Sequence, residues 1–184
     1  TAVVLALPEA LKDPGQYQEA FSNASLRCYL STDVRGTELG GTLKNIYAIG
    51  SGMCEGLKLG DNARAAYLTR SLNEMLALGG SLGGKPETFY GLSGFGDLIA
   101  TCSGMWSRNR TFGQKVGQGE VPETIIKNQK TVVEGYPATE CLHRYCVQEK
   151  IDAPILGRIY SVLYEGLKPE EGIRALMTRG LKTE

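Results

Sequence analysis

The stretch ELGGTLKNIYAIGSGMCEG, residues 38–56, decides how the chain is read. On a helical wheel at about 100° per residue, Leu39, Leu43, Ile46, Gly50, Met53 and Cys54 fall in one stripe. That is the pattern of a helix with a buried face. Lys44 lies about 140° from Leu39, off the stripe. Its neighbours on that side are Gly41, Ala48, Ser51 and Gly52. A surface helix would carry glutamate, lysine and arginine there. Tiny residues instead predict a close neighbour: another helix, a stretch of backbone or a ligand. Lys44 is then either a solvated lysine on a glycine-rich helix or a confined one able to transfer a proton.

Working outward, the chain after about residue 35 reads as successive helices broken by glycine and proline. Asp61, after Gly60, is expected to cap a helix running toward Gly79 or Gly83. Pro86, Pro137, Pro154 and Pro169 each sit where a first-turn proline would open a helix, and Gly166 can close one. Upstream, AVVLAL at 2–7 and LRCYLS at 26–31 read as strands, with a short helix at 14–22 between them. Strand, helix, strand is the tail of an α/β unit. The expected fold is therefore mainly α: a short α/β remnant over residues 1–34, then an all-helical domain over 35–184. TAVVLALPEA opens without methionine inside a strand-like run, so we expect the C-terminal part of a longer protein.

Lys+Arg and Asp+Glu balance at 20 each in 184 residues, which argues against nucleic acid or an anionic membrane as the main partner. No run of about 18 or more apolar residues offers a membrane span, and no secretory signal is expected. Cys28, Cys54, Cys102, Cys141 and Cys146 are odd in number and scattered, without CxxC spacing. The single histidine, His143, has no ligand-like partner, so no metal site is expected and reduced thiols in a cytoplasmic protein are.

A second stretch, SGMWSRNRTFG at 103–113, crowds positive charge. Ser107 is a good N-cap, which puts Arg108, Asn109 and Arg110 in a first helical turn. Cations there oppose the helix dipole, at about 0.3–1 kcal/mol each. Either the arginines reach outward or pair with acids elsewhere, or an anion such as phosphate sits at the helix start. Just before, in GLSGFGDLIATC at 91–102, Asp97 could cap a helix or pair with Lys44. No G-x-G-x-x-G follows a strand, so the dinucleotide fingerprint is absent from these residues.

ELGGTLKN (38–45), GLKLGDNARAA (56–66), GLSGFGDLIATC (91–102), SRNRTFG (107–113) and VVEG (132–135) stand in the order and near the spacing of one family. Across most of residues 32–180 the chain resembles the C-terminal part of NAD(P)-dependent glycerol-3-phosphate dehydrogenase, in its bacterial form. The resemblance implies a helical substrate domain after the end of a Rossmann-type nucleotide domain, whose glycine fingerprint would precede Thr1. By it, Lys44 is the catalytic proton acceptor and also touches substrate. Asp97 contacts the substrate and the lysine. Ser107, Arg108 and Asn109 hold the substrate phosphate. Arg108, Val132 and Glu134 contact the cofactor, NAD or NADP. Thr101 matches a substrate-contacting threonine of the eukaryotic branch, although the loop before SRN differs in length. Met105 and Trp106 lie in that loop and either line the cleft or pack. Arg110 receives no role.

The resemblance further implies a cytoplasmic homodimer acting on a small phosphorylated three-carbon substrate. The reaction interconverts sn-glycerol 3-phosphate and dihydroxyacetone phosphate, a supply of glycerophospholipid precursor. Two other readings stay open. One is another two-domain hydroxyacid dehydrogenase, although in those compared the lysine and asparagine lie several residues apart, whereas Lys44 and Asn45 are adjacent. The other is a phosphate-binding or dimerisation module without catalysis, expected for these residues alone if the cofactor domain lies elsewhere.

Overall fold

A computed structural model describes residues 1–180. Strands β1 (Ala2–Ala6) and β2 (Arg27–Ser31) pair in parallel, Val3 opposite Cys28. Parallel strands need a crossover, and helix α1 (Pro14–Phe21) supplies it. Among the described residues, every secondary-structure element after β2 is a helix. α2 (Val34–Gly56) comes first, then α3 (Asp61–Ser81), α4 (Pro86–Tyr90), a π-helical turn at Leu92–Gly96 and α5 (Asp97–Ser103). α6 (Arg108–Gly117), α7 (Pro122–Asn128), α8 (Gly135–Glu149), α9 (Pro154–Tyr164) and α10 (Pro169–Met177) complete the order. The mainly-α expectation holds, with small shifts. Gly60, rather than Asp61, is the cap residue of α3, and Pro137 sits inside α8 instead of opening it.

α2 is the core. From Leu43 to Cys54 every residue but Lys44 is buried, so the stripe read on the wheel widens to nearly the whole circumference. Asp33 caps its start: the carboxylate accepts from the Gly36 N–H at 2.9 Å. The same carboxylate accepts from the Lys85 N–H at 2.8 Å and the Thr88 hydroxyl at 2.6 Å, joining the starts of α2 and α4. Burial pushes the Asp33 carboxyl upward, but these donors together outweigh it and hold it below its ordinary value.

Most small residues of α2 turn out to serve packing, but Gly41, beside Lys44, does not: a Cβ there would meet nothing within 4 Å. Gly52 and Gly56 face Gly113 and Gly117 of α6 across a seam in which backbone meets backbone. A Cβ on Gly52 would overlap the Arg110 carbonyl, one on Gly56 the Gln114 carbonyl and one on Gly113 the Ile49 carbonyl. Gly117 is pressed in the same way against Met53. Only glycine permits this approach. Of the three neighbours the wheel allowed, a helix is the one found along Gly52, and Ser51 Oγ donates to the Cys102 carbonyl of α5 at 3.4 Å.

A second tie joins α3 to α9. Glu74 accepts from the Ile155 and Leu156 N–H groups at 2.7 and 2.8 Å and from the Tyr47 hydroxyl at 3.3 Å. It thus receives the free N–H groups of a helix start. Burial is the larger influence and pushes the Glu74 carboxyl from 4.5 up to about 7, despite those donors. At its far end α9 closes as expected: Gly166 is left-handed at φ 72°, and Leu167 N–H donates back to the Ser161 carbonyl at 3.1 Å.

Gly113→Ala should destabilise the protein by about 2–3 kcal/mol, because the new methyl meets rigid backbone. Gly157→Ala, where a Cβ would meet nothing within 4 Å, should be neutral or stabilising by up to about 1 kcal/mol. Urea unfolding followed by circular dichroism separates them, and matching midpoints would contradict the seam. For Glu74 the folded value lies above the unfolded one, so folding takes up a proton. Its contribution is full below about pH 4.5 and is lost as pH rises through 7, by at most about 3 kcal/mol. The melting temperature of the native sequence should therefore fall relative to Glu74→Gln between pH 5 and pH 7.5. Parallel curves would contradict this.

Candidate active site

Lys44 sits one turn past Gly40, where α2 runs against the π-helical turn. A Cβ on Gly40 would overlap the Ser93 carbonyl, so this glycine sets how near the two backbones come. Gly94 in that turn is equally tight against Phe89. The turn delivers Asp97 as the first residue of α5, facing α2. Of the two roles open to Asp97, pairing is the one found: Lys44 Nζ donates to Asp97 Oδ2, and Asp97 makes no side-chain cap. The Lys44 side chain is 21% exposed, enough to be reached from solvent. Thr101, one turn along α5, donates from Oγ1 to Asp97 Oδ1 at 3.4 Å.

Asn45 points away from Lys44 into a buried polar network. Its Nδ2 donates to the Gly41 carbonyl and to Glu134 Oε2, both at 3.1 Å. Its Oδ1 accepts from Asn109 Nδ2 at 2.9 Å, and Asn109 Oδ1 accepts from the Gly135 N–H at 2.8 Å. Three segments far apart in sequence meet on two amides. Buried amides of this kind stay only where their donors and acceptors are met. Glu134 reaches on to Arg108, with Oε1 3.6 Å from Nη2.

Ser107 caps α6 as expected, Oγ accepting from the Arg110 N–H at 3.2 Å. The two arginines behind it have parted company. Arg110 is turned inward, its side chain 10% exposed and ion-paired to Glu55 of α2. Its Nε donates to the Gly104 carbonyl at 3.0 Å, and Gln114 Nε2 donates to the other Glu55 oxygen at 3.2 Å. Arg110, without a role in the sequence, thus ties α6 and the preceding turn to α2. Arg108 is 49% exposed and faces solvent at the helix start. Met105 and Trp106 do not pack: they stand 80% and 95% exposed at the tip of that turn.

The structure therefore groups Lys44, Asp97 and Thr101 directly. It groups Arg108, Asn109 and Glu134 around Asn45, the next residue after Lys44. Val132 is exposed two residues before Glu134. Asn109 is buried, with its amide oxygen and one N–H directed inward. Two participants received no site role from the sequence, Asn45 and Gly135. The signal for Asn45 was present: a lone amide entering the apolar run NIYAI must find partners inside.

Comparison with known proteins identifies the family. The family described as NAD-dependent glycerol-3-phosphate dehydrogenase C-terminus matches residues 33–174. A relative from Oleidesulfovibrio alaskensis, named glycerol-3-phosphate dehydrogenase (NAD(P)+), is 45% identical over 184 residues, 100% of this chain and 56% of that protein. One of the same name from a Thermoanaerobacter species is 48% identical over 167 residues, 91% of this chain and 51% of that protein. The crystal structure of glycerol-3-phosphate dehydrogenase from Coxiella burnetii superimposes with a TM-score of 0.90 at 38% identity, covering 97% of this chain and 55% of that one. DsGPDH of Dunaliella salina gives 0.83 at 26% identity, covering 95% and 35%. The chain spans about half the length of the curated relatives it matches. With its helical fold and the Lys44–Asp97 and Asn45–Asn109 pairs in the matched segment, the chain belongs to the family of NAD-dependent glycerol-3-phosphate dehydrogenase C-terminal domains.

Proposed function

We propose that this chain is the substrate-binding and catalytic part of an enzyme that interconverts sn-glycerol 3-phosphate and dihydroxyacetone phosphate with NAD or NADP. We place the division between the end of the nucleotide domain and the helical domain at residues 34 and 35. The observation that carries the reading most is Lys44, half-sheltered and seated on Asp97 in the segment matched by the family. A lysine so held can take a hydroxyl proton at Nζ as the neutral amine and return it as the ammonium. In its charged form it also stabilises an oxyanion developing on the substrate. Asp97 keeps Nζ oriented, and Thr101 in turn steadies Asp97. In this proposal Thr101 also contributes a hydroxyl to the substrate.

Ser107, Arg108 and Asn109 make up the phosphate clamp in this proposal. Ser107 contributes its hydroxyl beside the first N–H groups of α6, those of Arg108 and Asn109, and Arg108 contributes a guanidinium in reach of solvent. Asn109 acts chiefly by fixing that start against Asn45. Holding the phosphate orients the carbon that reacts at Lys44. On the other side Arg108, Glu134 and Val132 offer a cation, an acceptor for hydroxyls and an apolar contact. These fit one edge of a dinucleotide. The bound nicotinamide supplies hydride transfer, chemistry no side chain performs. The proposal includes a homodimer in the cytoplasm. The five thiols without disulfide partners suit that compartment, and among the described residues no helix is long and apolar enough to cross a membrane.

In the full-length enzyme, Lys44→Ala should lower turnover by about 100-fold or more while phosphate still binds. Near-native turnover would remove Lys44 as the acid–base group. Arg108→Ala should raise KM for the phosphorylated substrate by about 10-fold or more, and leave a non-phosphorylated three-carbon analogue little affected. Equal losses on both substrates in steady-state assays would contradict the clamp.

A further inference from the structure

Glu134 stands where it should interfere. The start of α6 favours an anion, yet the carboxylate nearest Arg108 there belongs to the chain itself. Its two oxygens are held very unequally. Oε2 accepts from Asn45 Nδ2 at 3.1 Å, and Asn45 is buried and fixed by Gly41 and Asn109. Oε1 lies 3.6 Å from Arg108 Nη2, beyond hydrogen-bond length, and both side chains are about half exposed or more. One oxygen is anchored to the interior while the other leans on a solvated guanidinium. An ion pair so exposed is weak and readily exchanged.

We propose that Glu134 is an exchangeable counter-ion for Arg108, a tethered competitor that the substrate phosphate must displace. The inference rests on the reading of Arg108 as the phosphate clamp and adds a selectivity function to that site. A tethered carboxylate competes at high effective concentration, because its anchor on Asn45 keeps it beside the guanidinium. A weak monoanion offers Arg108 nothing better than Glu134 does. A phosphate dianion brings more charge and a bidentate edge, so it exchanges where chloride or a free carboxylate does not. While the site is empty of substrate, the same contact keeps the Arg108 fork over the start of α6. Glu134 is thus a specificity-determining residue, acting by competition for the guanidinium.

Isothermal titration of the full-length protein with inorganic phosphate tests this on the native sequence, Glu134→Gln and Arg108→Ala. Glutamine keeps an acceptor for Asn45 and removes only the charge. Glu134→Gln should bind phosphate about fivefold more tightly, and Arg108→Ala introduced into it should abolish the gain. Unchanged or weaker binding by Glu134→Gln, with binding still dependent on Arg108, overturns the counter-ion alone. Phosphate binding that is absent, or indifferent to Arg108→Ala, removes the clamp reading and the counter-ion with it.

Discussion

The glycine seam between α2 and α6 is the contact on which the rest of the site depends. With Gly52 and Gly56 facing Gly113 and Gly117, the two helices approach until carbonyls occupy the space of side chains. That spacing brings Asn109 within hydrogen-bond reach of Asn45 and Arg110 within reach of Glu55. A bulkier seam would part both pairs together, because all four residues lie on the same two helices. The Arg110 tie then extends the order outward. By gripping the Gly104 carbonyl it fixes the turn that delivers Ser107 to the start of α6. Packing of backbone on backbone, rather than a large apolar contact, is what makes the geometry specific here.

α2 also acts as a ruler for the chemistry. Gly40, Lys44 and Asn45 follow one another over little more than a turn, and each meets a different element. Gly40 meets the π-helical turn, Lys44 meets α5, and Asn45 meets α6 and the start of α8. Adjacent helical residues point about 100° apart. Lys44 can therefore stay in reach of solvent while its neighbour Asn45 is buried. The adjacency of lysine and asparagine is a geometric device: a reacting group and its anchor share one rigid helix.

Much of this was legible in the sequence wherever the cause is local. The course of α2, the Ser107 cap, the proline-opened helices and the Gly166 stop follow from propensity and capping chemistry within a few residues. Lys44 could be seen to lack a surface-like setting, and Asp97 could be named as one of its two possible partners. What stayed hidden depends on separation along the chain. Glu55 precedes Arg110 by 55 residues, and Glu134 follows Asn45 by 89. No periodicity links such positions. The role of the small residues on α2 was likewise split among three neighbours, because glycine records that something is close without recording what. The π-helical turn was invisible for a different reason. The glycines around Phe95 permit it, but the contacts with Gly40 and Phe89 impose it.

Among the described residues three cations lie around the site and each has a carboxylate, so charge balance alone does not tell them apart. Exposure does. Arg110 is buried against a part-buried Glu55 and backed by Gly104 and Gln114; removing Glu55 would strand the Arg110 charge, so this tie is structural. Lys44 with Asp97 is half-sheltered, close enough to the surface for a substrate to enter and dry enough for the pair to hold its alignment. Arg108 with Glu134 is open to water, where an ion pair contributes little and a better anion can replace it. The same interaction, graded by depth, thus yields a structural tie, a proton-handling pair and an exchangeable contact. The depth of each is set by its place relative to the α2–α6 seam: Arg110 lies beside it, Lys44 one face round on α2, and Arg108 at its solvent end.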